Sequence, residues 1–332
     1  MKRNLGYLLA LIILSGLTYY FVFREEAEVF DKSEANFTVK DTAAIQTIFL
    51  SNLKNENIKL SRSSGVWKLN DTMDPRMDAI QLLLAALNQQ KPTQPVPVAA
   101  HNSVITDLSG NNTKVEIYDQ TKKTHTFYVG LNPGPNNETY MLNENAKRPF
   151  LVKLPLQNTF VGVRYFTRIN EWRNKKILSG ATPIESIQVL YSDSVIYSYK
   201  IEKLAQSFSV AGPYPIEKPL NHKRAKEYLA LFENVYCMGF EEKYMYKDSI
   251  IQHGRQLATI RLQRAGVPMQ EITFYFKPAA QGTKMPIIIG GISYDNDSFF
   301  ALLNKKDFIL VGRKITERIL KTYPEFYEMD VK

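Results

Sequence analysis

The sequence predicts an α+β protein. One N-terminal transmembrane helix is followed by two similar, duplicated α+β units, each a mainly antiparallel sheet with one principal helix. Three observations predict it. Residues 5–23 form an unbroken apolar segment. The order of strand-like runs, turns and one amphipathic stretch in residues 41–160 recurs in residues 183–320. The chain is also rich in Tyr (19) and Phe (18), which pack well on pleated surfaces. The resulting plan is a cytoplasmic tail (1–4), an anchor (5–23), a polar stalk (24–40), the first unit (41–160), a basic connector (161–182), the second unit (183–320) and a C-terminal tail (321–332).

Leu5 to Phe23 carries no charged residue. As a helix it would span about 28 Å, close to the thickness of a bilayer's hydrocarbon core. Lys2 and Arg3 precede it, which favours a cytoplasmic N-terminus and an extracytoplasmic bulk. Tyr19 and Tyr20 suit the outer interface. Ser15 and Gly16 are followed by bulky residues, a poor cleavage context, and no lipoprotein cysteine follows the run. An uncleaved signal anchor with the bulk of the chain outside the cytoplasm is therefore expected; in a bacterium that means the inner membrane and a periplasmic domain.

The first unit opens with the strand-like run Ile45 to Leu50, set against Ile187 to Tyr191 in the second. Second strands follow at Ile58 to Leu60 and at Tyr197 to Ile201. Third strands carry one large aromatic each, Trp67 and Phe208, expected to be equivalent core anchors. A Pro-containing loop then leads to a helix. In the first unit Asp74 is the expected cap, Pro75 the first helical residue, and Ile80, Leu83, Leu84 and Leu87 the apolar stripe over 75–90. In the second unit Asn221 caps a helix over 222–236 whose stripe is Ala225, Tyr228, Leu229 and Phe232. Lys114 to Tyr118 and Thr124 to Val129 match Ala258 to Leu262 and Glu271 to Phe276. The clearest local echo is Thr126-Phe127-Tyr128 against Thr273-Phe274-Tyr275. Each unit closes with a strand, Phe150 to Val152 and Phe308 to Leu310.

Composition excludes several functions. The single cysteine, Cys237, lies in an apolar run and can form no intramolecular disulfide. Of four histidines, His101, His125, His222 and His253, none is spaced from another as metal ligands are. No phosphate loop, zinc-protease motif or nucleophile elbow is present. Asp71, Asp74 and Asp78 read as capping and first-turn acids. Asp295-Asn296-Asp297-Ser298 lacks the glycine and glutamate of a calcium loop and reads as a turn into a short helix. Gly290-Gly291 reads as a tight turn after the strand Pro286 to Ile289. The net charge is +9, and part of it gathers at Arg164, Arg168, Arg173, Lys175 and Lys176, read as a solvated linker. No nucleic-acid motif appears. The expectation is no catalytic, cofactor-binding or metal-binding residue, no cofactor, and no enzyme.

The order of two strands, Trp67-Lys68-Leu69, a Pro-containing loop and an Ala- and Leu-rich helix recurs after Trp172-Arg173-Asn174-Lys175-Lys176-Ile177-Leu178. That pattern resembles the bacterial family called domain of unknown function 4340, over most of residues 41–320. Two departures stand out: Phe208 where the first unit has Trp67, and Met77-Asp78-Ala79 where an Ala-Asp opening is expected. The resemblance implies one membrane helix, an extracytoplasmic region, and association with auxiliary components of ABC-type transporters related to gliding motility. It carries over no catalytic residues. The function expected is a membrane-anchored binding or scaffold module of the cell envelope, partnered by the membrane and another envelope protein. The alternative is a protein that binds glycan or peptide in a groove between the units, with exposed aromatics such as Tyr165 or Trp172 beside it.

Overall fold

The computed structural model describes Ser15 and residues 34–328 other than 156, 158 and 179. The expected anchor at 5–23, save Ser15, and the stalk up to 33 lie outside those residues, as do 329–332. Among the described residues no helix is long and apolar enough to cross a membrane. The fold is α+β with antiparallel sheets, and the chain divides into two units at Asn174 and Lys175.

The first unit contains β1 (Thr47–Asn52), β2 (Asn57–Ser63), β3 (Val66–Leu69), β4 (Lys91–Pro95), β5 (Asn112–Tyr118), β6 (Lys123–Pro133), β7 (Thr139–Asn143) and β8 (Phe150–Lys153). They form one sheet in the order β3-β2-β1-β5-β6-β7-β8-β4. Alternation decides the faces: Thr113, Val115 and Ile117 of β5 are buried, while Lys114, Glu116 and Tyr118 between them are not. The buried face packs on the helix Met77–Gln89, whose Ile80, Leu83 and Leu87 are fully buried. That helix is capped differently from expectation. Its N-cap is Arg76, without a side-chain bond, and Asp74 instead pairs with Lys68 at 2.6 Å.

A second helix, Val98–Gly110, covers part of the opposite face, setting Val104 and Leu108 against Val96, Tyr140 and Leu142. One principal helix per unit is therefore too few. The sequence hid this one because only two of its side chains are buried and its Ser, Thr and Asn content dilutes the helical period.

Two segments assigned to linkers are core. Ala35, Phe37 and Val39 alternate inward from the expected stalk, and Phe37 meets Phe127 and Phe150 edge-on at 5.9 and 6.0 Å. Val161–Arg164 and Ile169–Trp172 are short helical turns of the first unit. Tyr165 and Trp172 are fully buried. Tyr165 donates to Gln90 Oε1 at 2.6 Å, and Trp172 Nε1 donates to the Phe166 carbonyl at 2.8 Å. The aromatics whose exposure would have supported a ligand groove thus anchor a core.

The second unit begins with β9 (Lys176–Ile177). It continues with β10 (Ile184–Tyr191), β11 (Tyr199–Lys203), β12 (Phe208–Ala211), β13 (Val235–Tyr236), β14 (Gly239–Phe240), β15 (Gln256–Arg264), β16 (Gln270–Pro278), β17 (Ile287–Ile289), β18 (Ile292–Leu303) and β19 (Asp307–Gly312). Its main sheet runs β12-β11-β10-β15-β16-β18-β19-β14, the same path as the first sheet, with β17 added beside β18 and β9 pairing with β13 separately. The helix His222–Leu231 lies on one face, and Asn221 Oδ1 caps it by accepting from Arg224 N at 3.0 Å. The helix Lys247–His253 lies on the other, with Ile250 against Tyr275, Phe300 and Phe308. Gly290 and Gly291, at φ +58° and +80°, make the two-residue turn between β17 and β18, since only that backbone lets Ile289 face Ile292. Asp295 to Ser298 are strand, inside β18, where a short helix was expected. Ser298 pairs with Gly312 of β19, while Asp295 to Asp297 fall in a register break against β16, where Asp295 Oδ1 accepts from the amides of Asp297 and Ser298. The turn preference of Asp and Asn is thus kept as an irregularity within the strand. Tyr323 and Phe326, in the expected C-terminal tail, are buried with Tyr199 and Tyr228.

The ladder registers correct the correspondence between the units. Ile48 pairs with Leu60 and Ile117, as Ile187 pairs with Ile201 and Leu262. Val189 meets Tyr199 and Ile260 in the same manner, so the following turn decides. Ser63 faces Val66 as Leu204 N meets Ser207 O, which sets Leu60 at the place of Ile201 and Ile48 at that of Ile187, which the sequence reading gave to Ile45. Leu60 faces Leu69 and Ile201 faces Val210, so Trp67 does correspond to Phe208. Their burial is unequal: Trp67 is 5% exposed under the Arg62 guanidinium, and Phe208 is half-buried. Val115 faces Phe127 and Ile260 faces Ile272, so Phe127 matches Ile272 and Val129 matches Phe274. The Thr-Phe-Tyr echo is out of register by two residues. A slip of two keeps every side chain on its face, so alternation cannot reveal it.

Tyr228 buries a hydroxyl that donates to the Ile319 carbonyl at 2.7 Å and accepts from Tyr199 at 2.8 Å. Tyr228→Phe is expected to cost about 1–2 kcal/mol by orphaning that carbonyl. Urea denaturation followed by circular dichroism checks it.

Candidate functional site

The residues the sequence singled out do not converge. Asp71 bonds Lys59 and Ser61, Asp74 bonds Lys68, and Asp78 pairs with Arg76. Each acid is engaged separately on the first unit. His222 and His253 are exposed, and His125 is half-buried on β6, where burial lowers its pKa. Cys237 is buried. Among the described residues no three His, Cys, Asp or Glu side chains gather as a metal site would need.

Three polar places stand out among the described residues. In the first unit, a cleft of about 450 Å³ is floored by a closed network. Asn52 Nδ2 donates to Glu56 Oε2 at 2.9 Å and to Thr167 Oγ1 at 2.8 Å, and Thr167 Oγ1 donates to Glu56 at 3.3 Å. These bonds fasten the β1–β2 loop to the segment after Phe166.

In the second unit, Asp295 accepts from Lys277 Nζ at 2.6 Å and from the backbone of Asp297 and Ser298 at 2.7 and 3.2 Å. Burial opposes its charge, but Lys277 and the two amides outweigh burial, so its carboxyl titrates below the ordinary 3.8. Its folded pKa is depressed, so its stabilisation is present above the unfolded value and is lost as pH falls through the folded one. Wild type should exceed Asp295→Asn by about 1–2 kcal/mol at neutral pH, and the gap should close in acid, once the pH has fallen through the folded value. Denaturant melts at the two pH values test this.

The third place is a cleft of about 680 Å³ in the second unit. Its floor includes Arg264, the last residue of β15, which is only 3% exposed. The guanidinium is held by carbonyls: Nη1 donates to Thr182 O at 2.8 Å, and Nη2 donates to Leu178 O at 3.1 Å and Phe232 O at 3.4 Å. Arg264 Nε and Thr182 Oγ1 are buried without a hydrogen-bond partner among the described residues. Burial lowers the Arg264 pKa, opposed by the charge of Glu233. Lys176, Lys203 and Lys226 also line the cleft, with Phe208 and Leu229 on its apolar side. Sequence reasoning missed this site. Arg264 ends a polar-alternating strand, and only tertiary closure by residues 176–182 buries it.

Neither a curated protein nor a solved structure matches the chain. A family model described as "Domain of unknown function (DUF4340)" matches residues 79–248, from the first principal helix into the helix Lys247–His253. That match spans just over half of the chain, and the chain belongs to this family.

Proposed function

We propose that the chain is an anchored extracytoplasmic module of the bacterial cell envelope that binds or scaffolds another envelope protein, as an accessory part of an ABC-type transport system. The N-terminus would be cytoplasmic and residues 34–328 periplasmic, tethered through the apolar segment 5–23. The observation that carries the reading is how the polar groups of the first unit are spent. The buried and half-buried ones bind the fold together: Gln90 ties residues 37 and 38 to Tyr165, and Asn52, Glu56 and Thr167 close on one another. Two sheets of one topology, stiffened in this way, suit the presentation of a surface more than acid–base chemistry. The transport association follows the resemblance described above and is an analogy at family level.

The test is co-purification of the C-terminally tagged chain from gently solubilised membranes of its host, with mass spectrometry. Recovery of transporter subunits in a stable ratio supports the reading. Recovery of the chain alone, under conditions that keep a known transporter of that membrane intact, overturns it.

A further inference from the structure

We propose that the cleft over Arg264 in the second unit binds a small ligand carrying a phosphate or carboxylate group, its charge set towards Arg264, Lys203 and Lys226 and its body on Phe208 and Leu229. Four observations carry this. First, Arg264 is a buried cation whose bonds, among the described residues, go to carbonyl dipoles. Dipoles satisfy its N–H groups without neutralising its charge, and Nε is left over. Second, the lining is one-signed: Lys176, Lys203, Lys226 and Arg264 against Glu233 alone. Among the described residues Lys203 and Lys226 form no ion pair that would spend their charge. Such a cleft, with low-dielectric walls, concentrates anions.

Third, the enclosure is built to close over the guanidinium. A Cβ on Gly180 would lie 2.6 Å from Arg264 Cδ and 2.9 Å from Nε, so the backbone at Gly180 passes close over the side chain, and a larger residue there would have to displace it. Fourth, the topology does not require the arginine. Leu262 corresponds to Ile117 in the ladders, which puts Asp119 of the first unit at the place of Arg264. Asp119 is a turn residue, accepting from the amides of Thr121 and Lys122. The same strand end thus works with a half-buried turn acid, and the second unit has a buried cation in its stead. The volume is in the range of small-molecule sites, and the apolar wall argues for a ligand with a body beyond its charged group.

Phenyl phosphate is the probe, titrated calorimetrically into the full chain in detergent. Lys203→Gln/Lys226→Gln is the variant, because both side chains are exposed and the fold should not depend on them. The expected result is saturable binding, weakened about ten-fold in the double variant and weakened by added salt, with benzyl alcohol not binding. Displacement by phosphatidylglycerol vesicles would put the anion on a lipid headgroup, and no displacement would put it on a free solute. The site stands in both cases. Absence of binding at about 10 mM probe, or equal affinity in wild type and double variant, overturns the proposal. Neither result bears on the co-purification test, so the two readings fail independently.

Discussion

Phe37→Ala is expected to destabilise the first unit by about 3–5 kcal/mol, and a chain shortened to begin at residue 41 by more. Phe37 has no exposed surface and packs edge-on against Phe127 and Phe150. Truncation to alanine removes the ring's transfer free energy and leaves a cavity between strands that cannot close on it. Deleting residues 34–40 also strips Gln90 of two bonds, from its Nε2 to the Phe37 carbonyl at 2.6 Å and from Thr38 Oγ1 to its own carbonyl at 2.6 Å. Gln90 is fully buried, so those groups would have no water to replace what is lost. The size of the effect matters because a whole domain is stable by only about 5–15 kcal/mol. Both tryptophans of the chain, Trp67 and Trp172, lie in the first unit, so tryptophan fluorescence in urea reads that unit alone. An unchanged midpoint for both variants would mean that the segment before residue 41 is a passive tether after all.

The sequence made the sheets legible because alternation is a local signal. Val115 and Ile117, or Ile260 and Leu262, point inward whatever surrounds them. The two principal helices were legible in place from their apolar period, as was the Asn221 cap, but the second was read over 222–236 and ends at Leu231, because Val235 and Tyr236 pair with β9 as a strand. What failed was information that exists only after the chain has closed. Val104 and Leu108 are too few to announce a helix, yet they suffice once Tyr140 and Leu142 lie beneath them. Asp74 has the chemistry of a cap, but Lys68 on the neighbouring strand competes for it. The basic residues around 164–176 suggested a solvated linker, while the hydrophobic residues between them, Tyr165 and Trp172, are among the best buried in the chain. The correspondence between the units failed by register and not by kind, since a two-residue slip leaves the pattern of burial intact. The Arg264 cleft was the least legible. No motif marks it, and its lining is drawn from β11, the helix His222–Leu231, β15 and the segment before β10.

Arg264→Ala should cost the second unit about 2–4 kcal/mol, and Arg264→Lys a smaller amount. The alanine variant leaves the carbonyls of Leu178, Thr182 and Phe232 without the donor that now serves all three, and Leu178 and Phe232 are themselves buried. Phe232 is the C-cap of the helix His222–Leu231, so its carbonyl is one of the helix-end acceptors that need an external partner. Lysine restores the charge but not the planar fork, and its single nitrogen cannot reach three acceptors in the guanidinium's geometry. The loss should therefore be local in a defined way. Amide exchange measured by mass spectrometry is expected to accelerate in peptides covering 176–184 and 228–236, the two segments that the guanidinium joins, ahead of β16 and β18 in the centre of the sheet. Unaltered exchange in both segments would show that burial of Arg264 is incidental to the second unit's stability. Its position under the cleft would then have ligand binding as its only remaining role. Slowed exchange in wild type on adding phenyl phosphate, absent in Lys203→Gln/Lys226→Gln, would join the two roles in one residue, because a ligand that binds only the folded cleft stabilises what the guanidinium already holds.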